Sequence, residues 1–518
     1  MKHIFNIAAA AVLSCTLFAS CSDFLDEKTN GQVFDNVLES QSGLEAALTG
    51  VYLQWNGGWG YGFLHTWPYE ITMGGEDLTT NASSTNTKEL DTYTVTNTNS
   101  SIPCIYKSCY KAIINANNVI ENADKCKGDA AVIKQILGEA YFVRAYSYFW
   151  LGRMHKSLPL MLSAVYKESD KNMEMTGTEG IFAQIESDLT NSIERLGDER
   201  RNGDPGRPNV GTARALLAEV YLFEAGWPLN KEGYYAKAAE QAKLVLDNRA
   251  KYGFDFEDSY DVLFTHSESA PNNGITKENV FTMCTKSGDN WMYGTASGPS
   301  MAGGWGYFFA EVGYYNEFPA GPRKDATFME DYVCTDGVTR NWKDMTDKHP
   351  YYKKMSVDNK FTVGGATVPI CFLRFSQTAL TYAEAKARSG GPDALAYECL
   401  NKIRSRCGLP TFQDSWSRAG GIPSGQKLRD IIRRERSIEF MLEGRRFHDI
   451  RRWKIAEECL RPIPKAWNIE GDTPEKFYKL VDMKENDTRI FTTPKHYWLA
   501  IPNSQLNING QLVQNPGY

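Results

Sequence analysis

The chain repeats one pentapeptide whose residue types suit ligand binding, as Gly57-Gly58-Trp59-Gly60-Tyr61 and as Gly303-Gly304-Trp305-Gly306-Tyr307. Neither copy predicts a phosphate-binding loop, because no Lys-Ser or Lys-Thr pair follows and no strand-to-helix pattern surrounds it. Glycines let the backbone turn sharply while flat rings stay exposed. A sugar ring has an apolar C–H face that an aromatic plane can cover while polar neighbours bind the hydroxyl groups. The repeat therefore predicts a sugar-binding surface; the alternative is that the rings pack beneath their loops.

Two irregular, aromatic-rich regions, about 55–100 and 251–369, contain both copies and the other candidate ligand contacts. The candidates are Trp59, Tyr61, Trp67, Asp77, Asn81, Trp291, Tyr293, Trp305 and Tyr307. The rings would stack on the ligand, and Asp77 and Asn81 would supply hydrogen bonds. Long irregular segments inside a compact domain are usually functional, so we expect these two regions to bind the ligand.

Catalytic chemistry has little support in the residue pattern. The seven histidines are dispersed, with no HExxH motif and no pair at metal-binding spacing, and no GxSxG motif is present. The adjacent acids Glu76 and Asp77 could in principle serve glycoside hydrolysis, but neighbouring carboxylates in a loop are usually solvated. We therefore expect no catalytic residue, no metal site and no cofactor.

The two irregular regions interrupt a series of amphipathic segments that would position them. Apolar spacing of three and four residues predicts helices at 39–52, 105–123, 130–154, 181–196, 211–226, 234–248, 378–389 and 394–406. Alternation at 279–283 predicts a strand. Alanines beside large residues in 211–226 and 234–248 resemble tetratricopeptide helix pairs, in which small residues allow close approach.

These segments predict a mainly α fold. Its tetratricopeptide-like helical-repeat scaffold would span about 39–250 and 370–460, with a loop-rich mixed insertion seated on it. An ordinary helical bundle is the alternative.

The segment 427–453 has the densest charge pattern in the chain. Wound as a single helix, it would align Leu428, Ile432, Glu435, Glu439, Leu442 and Arg446 on one stripe. An isolated buried charge costs several kcal/mol, so we expect Glu435, Glu439 and Arg446 to form structural ion pairs. The expected partners within a few turns are Arg436, Arg445, Arg446, Arg451 and Arg452. Acids balance these arginines, and the formal net charge of −6 argues against a nucleic-acid partner.

The N-terminus resembles a bacterial lipoprotein signal. A short basic segment precedes an apolar run, 4–19, that is too short for a membrane span of roughly 20 residues. It ends in Leu17-Phe18-Ala19-Ser20-Cys21, which is similar to a lipoprotein processing box although Phe18 departs from the usual leucine. We predict a signal peptide at 1–20 and lipidation of Cys21. A second box, Val12-Leu13-Ser14-Cys15, and a plain cleaved signal are the alternatives.

Several of these landmarks together resemble the SusD/RagB family. They are CSDFLDE after the processing box, GEAYFVRAYSYFWLGR with a downstream LPL, YAEAKA with LNKIRSRCGLP, RRERSIEFMLEGRRFHDIRRW, and the terminal IPN and QNPGY. The resemblance spans 21–518 and implies a single SusD-like domain. It weakens in 55–100 and 251–369, the segments that would hold the ligand.

The resemblance implies a function and a location. Members of this family are surface lipoproteins that bind nutrients, mostly glycans, over a SusC-like TonB-dependent transporter. The implied protein is lipid-anchored in the outer membrane, faces the cell surface and delivers oligosaccharide or polysaccharide to that transporter. A binder of peptide or another nutrient in the same type of complex is the alternative, followed by a surface glycoside hydrolase.

Overall fold

The computed structural model describes residues 37–55, 68–75, 77–80, 85–165, 167–266, 275–283, 297–358, 360, 369–417, 425–460 and 489–518. The helices of this part are α1 (Gln41–Leu53), α2 (Pro68–Ile71), α3 (Thr85–Thr92), α4 (Ser101–Asn122), α5 (Ala130–Met154), α6 (Thr178–Ile193), α7 (Val210–Glu224), α8 (Tyr234–Asp247), α9 (Arg249–Tyr252), α10 (Val312–Glu317), α11 (Pro322–Thr327), α12 (Phe375–Ser389), α13 (Ala394–Ser405), α14 (Phe412–Ser417), α15 (Gly425–Glu439), α16 (Arg446–Arg452), α17 (Ala456–Cys459) and α18 (Asn503–Leu506).

The described strands are short and pair two by two. They are β1 (Leu78–Thr79), β2 (Ser157–Pro159), β3 (Met175–Gly177), β4 (Asn279–Met283), β5 (Phe309–Ala310), β6 (Phe328–Met329), β7 (Asp331–Val333), β8 (Thr339–Asn341), β9 (Tyr351–Tyr352) and β10 (Ile370–Arg374). The antiparallel pairs are β1 with β5, β2 with β3, β4 with β10, β6 with β9 and β7 with β8. Such small sheets cannot form a core of their own, so they depend on the helices beneath them.

The long helices form one continuous array. Helices α4 to α8 pack in succession, α1 packs on α4 and α5, and α8 then packs against α12. Because 248–374 separates α8 from α12, the array is continuous in space but interrupted in sequence. The scaffold predicted on either side of the insertion is therefore a single helical body.

Small residues set the spacing within this array. Ala213 and Ala218 in α7, and Ala238 and Ala242 in α8, are fully buried. At Gly152 in α5, a Cβ atom would lie 3.0 Å from the Phe182 ring in α6, which is tighter than ordinary packing allows. The small–large complementarity predicted for tetratricopeptide-like pairs is confirmed.

Polar caps explain where two central helices begin. The Asp129 carboxylate accepts a hydrogen bond from the Ala131 N–H group at the start of α5. The Asn209 side chain accepts one from the Thr212 N–H group at the start of α7. Each cap satisfies a backbone donor that lacks an intrahelical partner, so the helix boundaries are encoded locally.

The prediction of one helix across 427–453 is wrong. Helix α15 ends at Glu439 and α16 begins at Arg446, and the intervening turn places Leu442 and Gly444 at positive φ, 57° and 68°. Leu442 is almost fully buried in this unusual conformation. Burial of Leu442 and its apolar neighbours in the core therefore outweighs the helical periodicity of the segment.

The described residues of the region 55–100 are more regular than predicted, because they include the short helices α2 and α3. No helix in the described part of the chain is long and apolar enough to span a bilayer.

Candidate functional site

The second glycine-rich pentapeptide forms a tightly closed loop. The Gly304 N–H group donates to the Pro299 carbonyl and the Gly306 N–H group to the Gly298 carbonyl, both at 2.8 Å. A Cβ atom at Gly304 would lie 2.2 Å from the Gly298 carbonyl oxygen, a distance that no side chain tolerates. Gly303 and Gly306 have φ angles of 86° and 63°, which favour glycine. The glycines therefore close the loop as the sequence predicts.

The loop exposes one aromatic ring beside another. Trp305 is 36% exposed, whereas Tyr307 is half-buried. Their ring centroids are 5.7 Å apart at an interplanar angle of 50°. Tyr307 packs in turn against the core, which fixes the orientation of the pair. The arrangement presents an apolar aromatic surface to solvent.

A buried aromatic layer supports the exit of the loop. Phe309 stacks on His349 with centroids 5.2 Å apart and meets the Tyr351 ring edge-on at 4.9 Å. The Tyr351 hydroxyl group donates to the Asp347 carboxylate at 2.6 Å. Burial and the adjacent Asp347 raise the pKa of Tyr351 above its usual value, so this hydroxyl stays protonated and can donate.

Asp347 is a polar group near the rings that sequence reasoning missed. Its carboxylate lies 3.7 Å from the position of a Cβ atom at Gly306, and its residue is half-buried. No motif in the sequence marks it, because Asp347 lies far along the chain from Gly306 and folding alone makes them neighbours. A carboxylate oxygen can accept a hydrogen bond from a ligand hydroxyl group.

The structure brings the two irregular regions together. Strand β1, from the first region, pairs with β5, which follows Tyr307 in the second, through Leu78–Ala310 and Thr79–Phe309. Buried Arg489 reinforces this junction through ion pairs with Asp91 and Glu311.

Asp77 lies at this junction rather than on the surface. It is 5% exposed, and its carbonyl accepts hydrogen bonds from the Glu311 N–H group and the Tyr352 hydroxyl group. The remaining candidates lie outside the described residues. They are Cys21, Trp59, Tyr61, Trp67, Asn81, Trp291 and Tyr293.

A second concave site, also missed from the sequence, lies at the end of α1. A cavity of about 220 Å³ is lined by Tyr52, Trp55, Arg207, Phe281 and Phe372, among others. Trp55 lies just before the first pentapeptide copy, with Asn56 between them, yet its ring is buried and its Nε1 donates to Ser147. Ligand pockets usually enclose about 300–1,000 Å³, so this cavity suits only a small group. The exposed ring pair is therefore the better candidate for the ligand-binding site.

Glu435 and Glu439 lie in a buried charge network. Arg323 binds Glu435 at 2.7 Å and Glu439 at 3.0 Å. Arg374 and Arg406 also pair with Glu439. The other charged groups of the network are Glu278, Lys354, Arg404 and Glu443.

The network keeps Glu439 ionised despite its complete burial. Burial raises the pKa of Glu439, but attraction by Arg406, Arg374 and Arg323 outweighs it and lowers that pKa to about 2. The same network joins α15 to the insertion through Arg323 in α11 and to the scaffold through Arg374 before α12. Its chemistry is structural, because each of these carboxylates forms an ion pair with a buried cation.

The prediction that Glu435 and Glu439 pair with arginines of the segment 427–453 is wrong. The observed partners come from distant parts of the chain, and Arg446 is not among them. Arg446 is half-buried in α16, with its guanidinium 5.7 Å from the Trp453 ring centroid and its Nη2 3.8 Å from the Cys459 sulfur. The break between α15 and α16 separates Arg446 from the acidic stripe.

Among the described residues, no group of three or more His, Cys, Asp or Glu side chains could hold a metal ion. Residues 247–518 match the model of a family described as the SusD family, which is more than half of the 518 residues. The chain belongs to the SusD/RagB family. Residues 23–222 match a further model, described as "Starch-binding associating with outer membrane".

Members of the SusD family from two organisms are similar over almost the whole chain. A SusD-like protein P2 of Formosa agariphila is 25% identical over 541 residues, covering 98% of each chain. A SusD-like protein of Bacteroides ovatus is 25% identical over 567 residues, covering 99% of this chain and 97% of the relative.

Solved SusD-like structures share the fold. A laminarin-binding SusD-like protein has a TM-score of 0.73 at 22% identity, over 93% of this chain and 100% of the other. The surface glycan-binding protein A of Bacteroides uniformis has a TM-score of 0.70 at 19% identity, over 92% and 99%. The predicted helical scaffold is thus the SusD fold.

Proposed function

We propose that this protein is a surface-exposed, lipid-anchored glycan-binding lipoprotein that delivers oligosaccharide or polysaccharide to a TonB-dependent outer-membrane transporter. The observation that carries the proposal is the exposed Trp305 ring beside Tyr307 on a loop that its glycines hold closed. A rigid aromatic surface of this kind binds the C–H face of a sugar without a deep pocket.

The local chemistry favours binding with modest affinity over catalysis. Trp305 would cover the apolar face of one sugar ring, Tyr307 would border it, and the Asp347 carboxylate would accept a hydrogen bond from a hydroxyl group. Because the rings are held in place before the ligand arrives, binding costs little side-chain ordering. An open surface also allows release, which delivery to a transporter requires.

The names of related proteins support a carbohydrate ligand. One similar structure is a laminarin-binding protein and another is a surface glycan-binding protein. The description of the family model matched by residues 23–222 combines starch binding with the outer membrane. These relatives support a carbohydrate as the class of ligand.

The membrane part of the proposal rests on the N-terminal sequence. A lipid on Cys21 would hold the protein at the membrane without a spanning helix. The acidic segment 22–27 that follows resembles the export signal of surface lipoproteins in some Gram-negative bacteria.

Affinity electrophoresis against a polysaccharide panel that includes laminarin and starch tests the proposed function. The wild type should be retarded by at least one glycan without releasing hydrolysis products. Trp305→Ala should weaken that binding by about tenfold or more, equal to about 1.4 kcal/mol, with little change in melting temperature because Trp305 is at the surface.

Trp342→Ala is the matched control, since Trp342 is 1% exposed and packs edge-on against Tyr315. Its removal should cost about 3–5 kcal/mol of stability. Retained glycan binding together with a large loss of stability in Trp305→Ala would mean that the ring is structural. Release of reducing sugars by the wild type would favour the glycoside hydrolase alternative.

A further inference from the structure

A small cavity lies among α5, α7, α12, α15 and α16. Arg153, Gln377, Arg445 and His448 line it, together with the carboxylates of Glu219 and Asp449. The cavity offers a volume of about 20 Å³ to a water-sized particle. By the same measure, one water molecule needs roughly 10–15 Å³. The cavity therefore has room for a single water molecule or monoatomic ion.

The carboxylates near the cavity already have partners. Asp449 pairs with Arg436 at 3.1 Å and with Arg452 at 2.8 Å. Glu384 pairs with Arg452 at 2.7 Å, and Glu219 lies 3.9 Å from Arg436. Arg388 also lies 3.7 Å from Glu384, so three arginines, Arg388, Arg436 and Arg452, match the three carboxylates.

Two further arginines at the cavity lack such compensation. Arg153 and Arg445 are 8% and 9% exposed. Arg153 donates to the Phe149 carbonyl at 3.1 Å, and Arg445 donates to the Phe372 carbonyl. In the part of the chain that the structure describes, neither forms an ion pair with a carboxylate. Two buried positive charges therefore face the cavity with carbonyl groups as their hydrogen-bond partners, and the Arg153 guanidinium also lies over the Phe149 and Trp150 rings.

The pKa shifts of two residues at the cavity indicate an excess of positive charge around it. Burial, followed by Arg153, Arg451, Arg445 and Arg452, lowers the pKa of His448 well below its usual value, so its imidazole is neutral. Burial lowers the pKa of Arg153 to about 9; Arg445 adds to that effect, whereas Tyr146, Glu219 and Asp449 oppose it. At neutral pH the Arg153 guanidinium therefore remains charged, and Arg445 repels it.

Hydrogen-bonding groups at the cavity also lack partners. Within the described residues, Arg445 Nε, His448 Nε2 and the Gln377 side-chain oxygen are buried without a hydrogen bond. Neutral His448 can carry its proton on Nε2, and the Gln377 amide can rotate to present its NH₂ group. Three donors from residues that line the cavity are thus available to one acceptor, and a buried donor that stays unpaired destabilises a protein.

We propose that this cavity binds a single chloride ion between Arg153 and Arg445. Chloride accepts hydrogen bonds from several directions, so it matches donors that come from three helices and a turn. A water molecule would satisfy some donors but would leave both charges uncompensated, and an oxyanion such as sulfate exceeds the room for one water-sized particle. The bound ion would join the end of α5 to the turn before α16.

Bromide substitution tests this site in the unaltered full-length chain. Crystals grown in sodium bromide should show an anomalous scattering peak in the cavity, adjacent to Arg153 and Arg445. Density that refines as water without an anomalous signal would overturn the proposal, as would bromide bound at the surface alone. This experiment needs no variant, so it is decisive even if substitutions prevent folding.

Chloride-dependent stability is the second measurement. Replacing gluconate by chloride at constant ionic strength should raise the melting temperature of the wild type by a few degrees. Arg153→Gln should lose that response. Arg195→Gln should keep it, because Arg195 is half-buried in the turn after α6 and pairs with the exposed Glu194. An equal chloride response in wild type and Arg153→Gln would refute the site.

Discussion

Replacing Glu439 by glutamine should destabilise the fold while glycan affinity of the folded protein is retained. Glu439 is fully buried, and its carboxylate pairs with Arg323, Arg374 and Arg406. Glutamine keeps nearly the same volume, so the change removes charge without opening a cavity. The three guanidinium groups would then lose one carboxylate partner in the protein interior, where an uncompensated charge is costly.

The structure gives two concordant magnitudes for this loss. Breaking a buried ion pair from one side costs about 3–5 kcal/mol. Independently, a fall in the pKa of Glu439 from 4.5 to about 2 corresponds to about 3 kcal/mol of folding free energy at neutral pH. Whole domains are stable by about 5–15 kcal/mol, so this single substitution should remove a substantial fraction of the total.

The pH dependence has a definite sign. Because the pKa is lower in the folded state, the contribution of Glu439 is fully present above pH 4.5 and is lost as the pH falls towards 2. The stability difference between wild type and Glu439→Gln should therefore be largest at neutral pH and shrink on acidification through that range.

Urea unfolding followed by tryptophan fluorescence measures both effects. Glu398→Gln is the matched control, because Glu398 is an exposed residue of α13, and it should change the free energy of unfolding by less than about 0.5 kcal/mol. Equal urea midpoints for Glu439→Gln and wild type at pH 7 would refute the assignment of this network as the element that holds α15 in the scaffold. A stability difference that grows towards acidic pH would refute the charge argument.

Two further predictions concern the cell envelope. Cys21→Ala should release the protein from membranes into the soluble fraction on cell fractionation, since the proposed lipid is its anchor, and continued membrane retention would contradict lipidation at Cys21. In mild detergent the wild-type protein should co-purify with a large outer-membrane β-barrel transporter, and recovery of the protein without such a barrel would count against the proposed delivery partner.

Helix positions were largely predictable from the sequence. The segment 130–154 was predicted as a helix and α5 spans Ala130–Met154, and the strand predicted at 279–283 is β4. Both signals are local: the spacing of apolar residues fixes the face that is buried, and caps such as Asp129 and Asn209 fix where helices begin. The repeat-like helix pairs on either side of the insertion also indicate a scaffold that continues across it.

The break at 440–445 could not be predicted by the same reasoning. Periodicity continues through Leu442, but the core beneath that segment requires a turn that the sequence alone does not display. The partners of Glu435 and Glu439 were misassigned for a related reason. Nearby arginines were available in sequence, whereas Arg323, Arg374 and Arg406 reach these acids from other elements.

The sequence by itself determined the helical scaffold, the aromatic–glycine chemistry of the loop at Trp305 and the need of Glu435 and Glu439 for cationic partners. Each of these follows from the local spacing of residues and from the energetic cost of burying a charge. The tertiary structure decided which charges meet, brought Asp347 beside Gly306, joined the two irregular regions through β1 and β5, and gathered Arg153 and Arg445 at one cavity. Contacts between distant positions depend on how whole elements pack, and no local pattern encodes that packing.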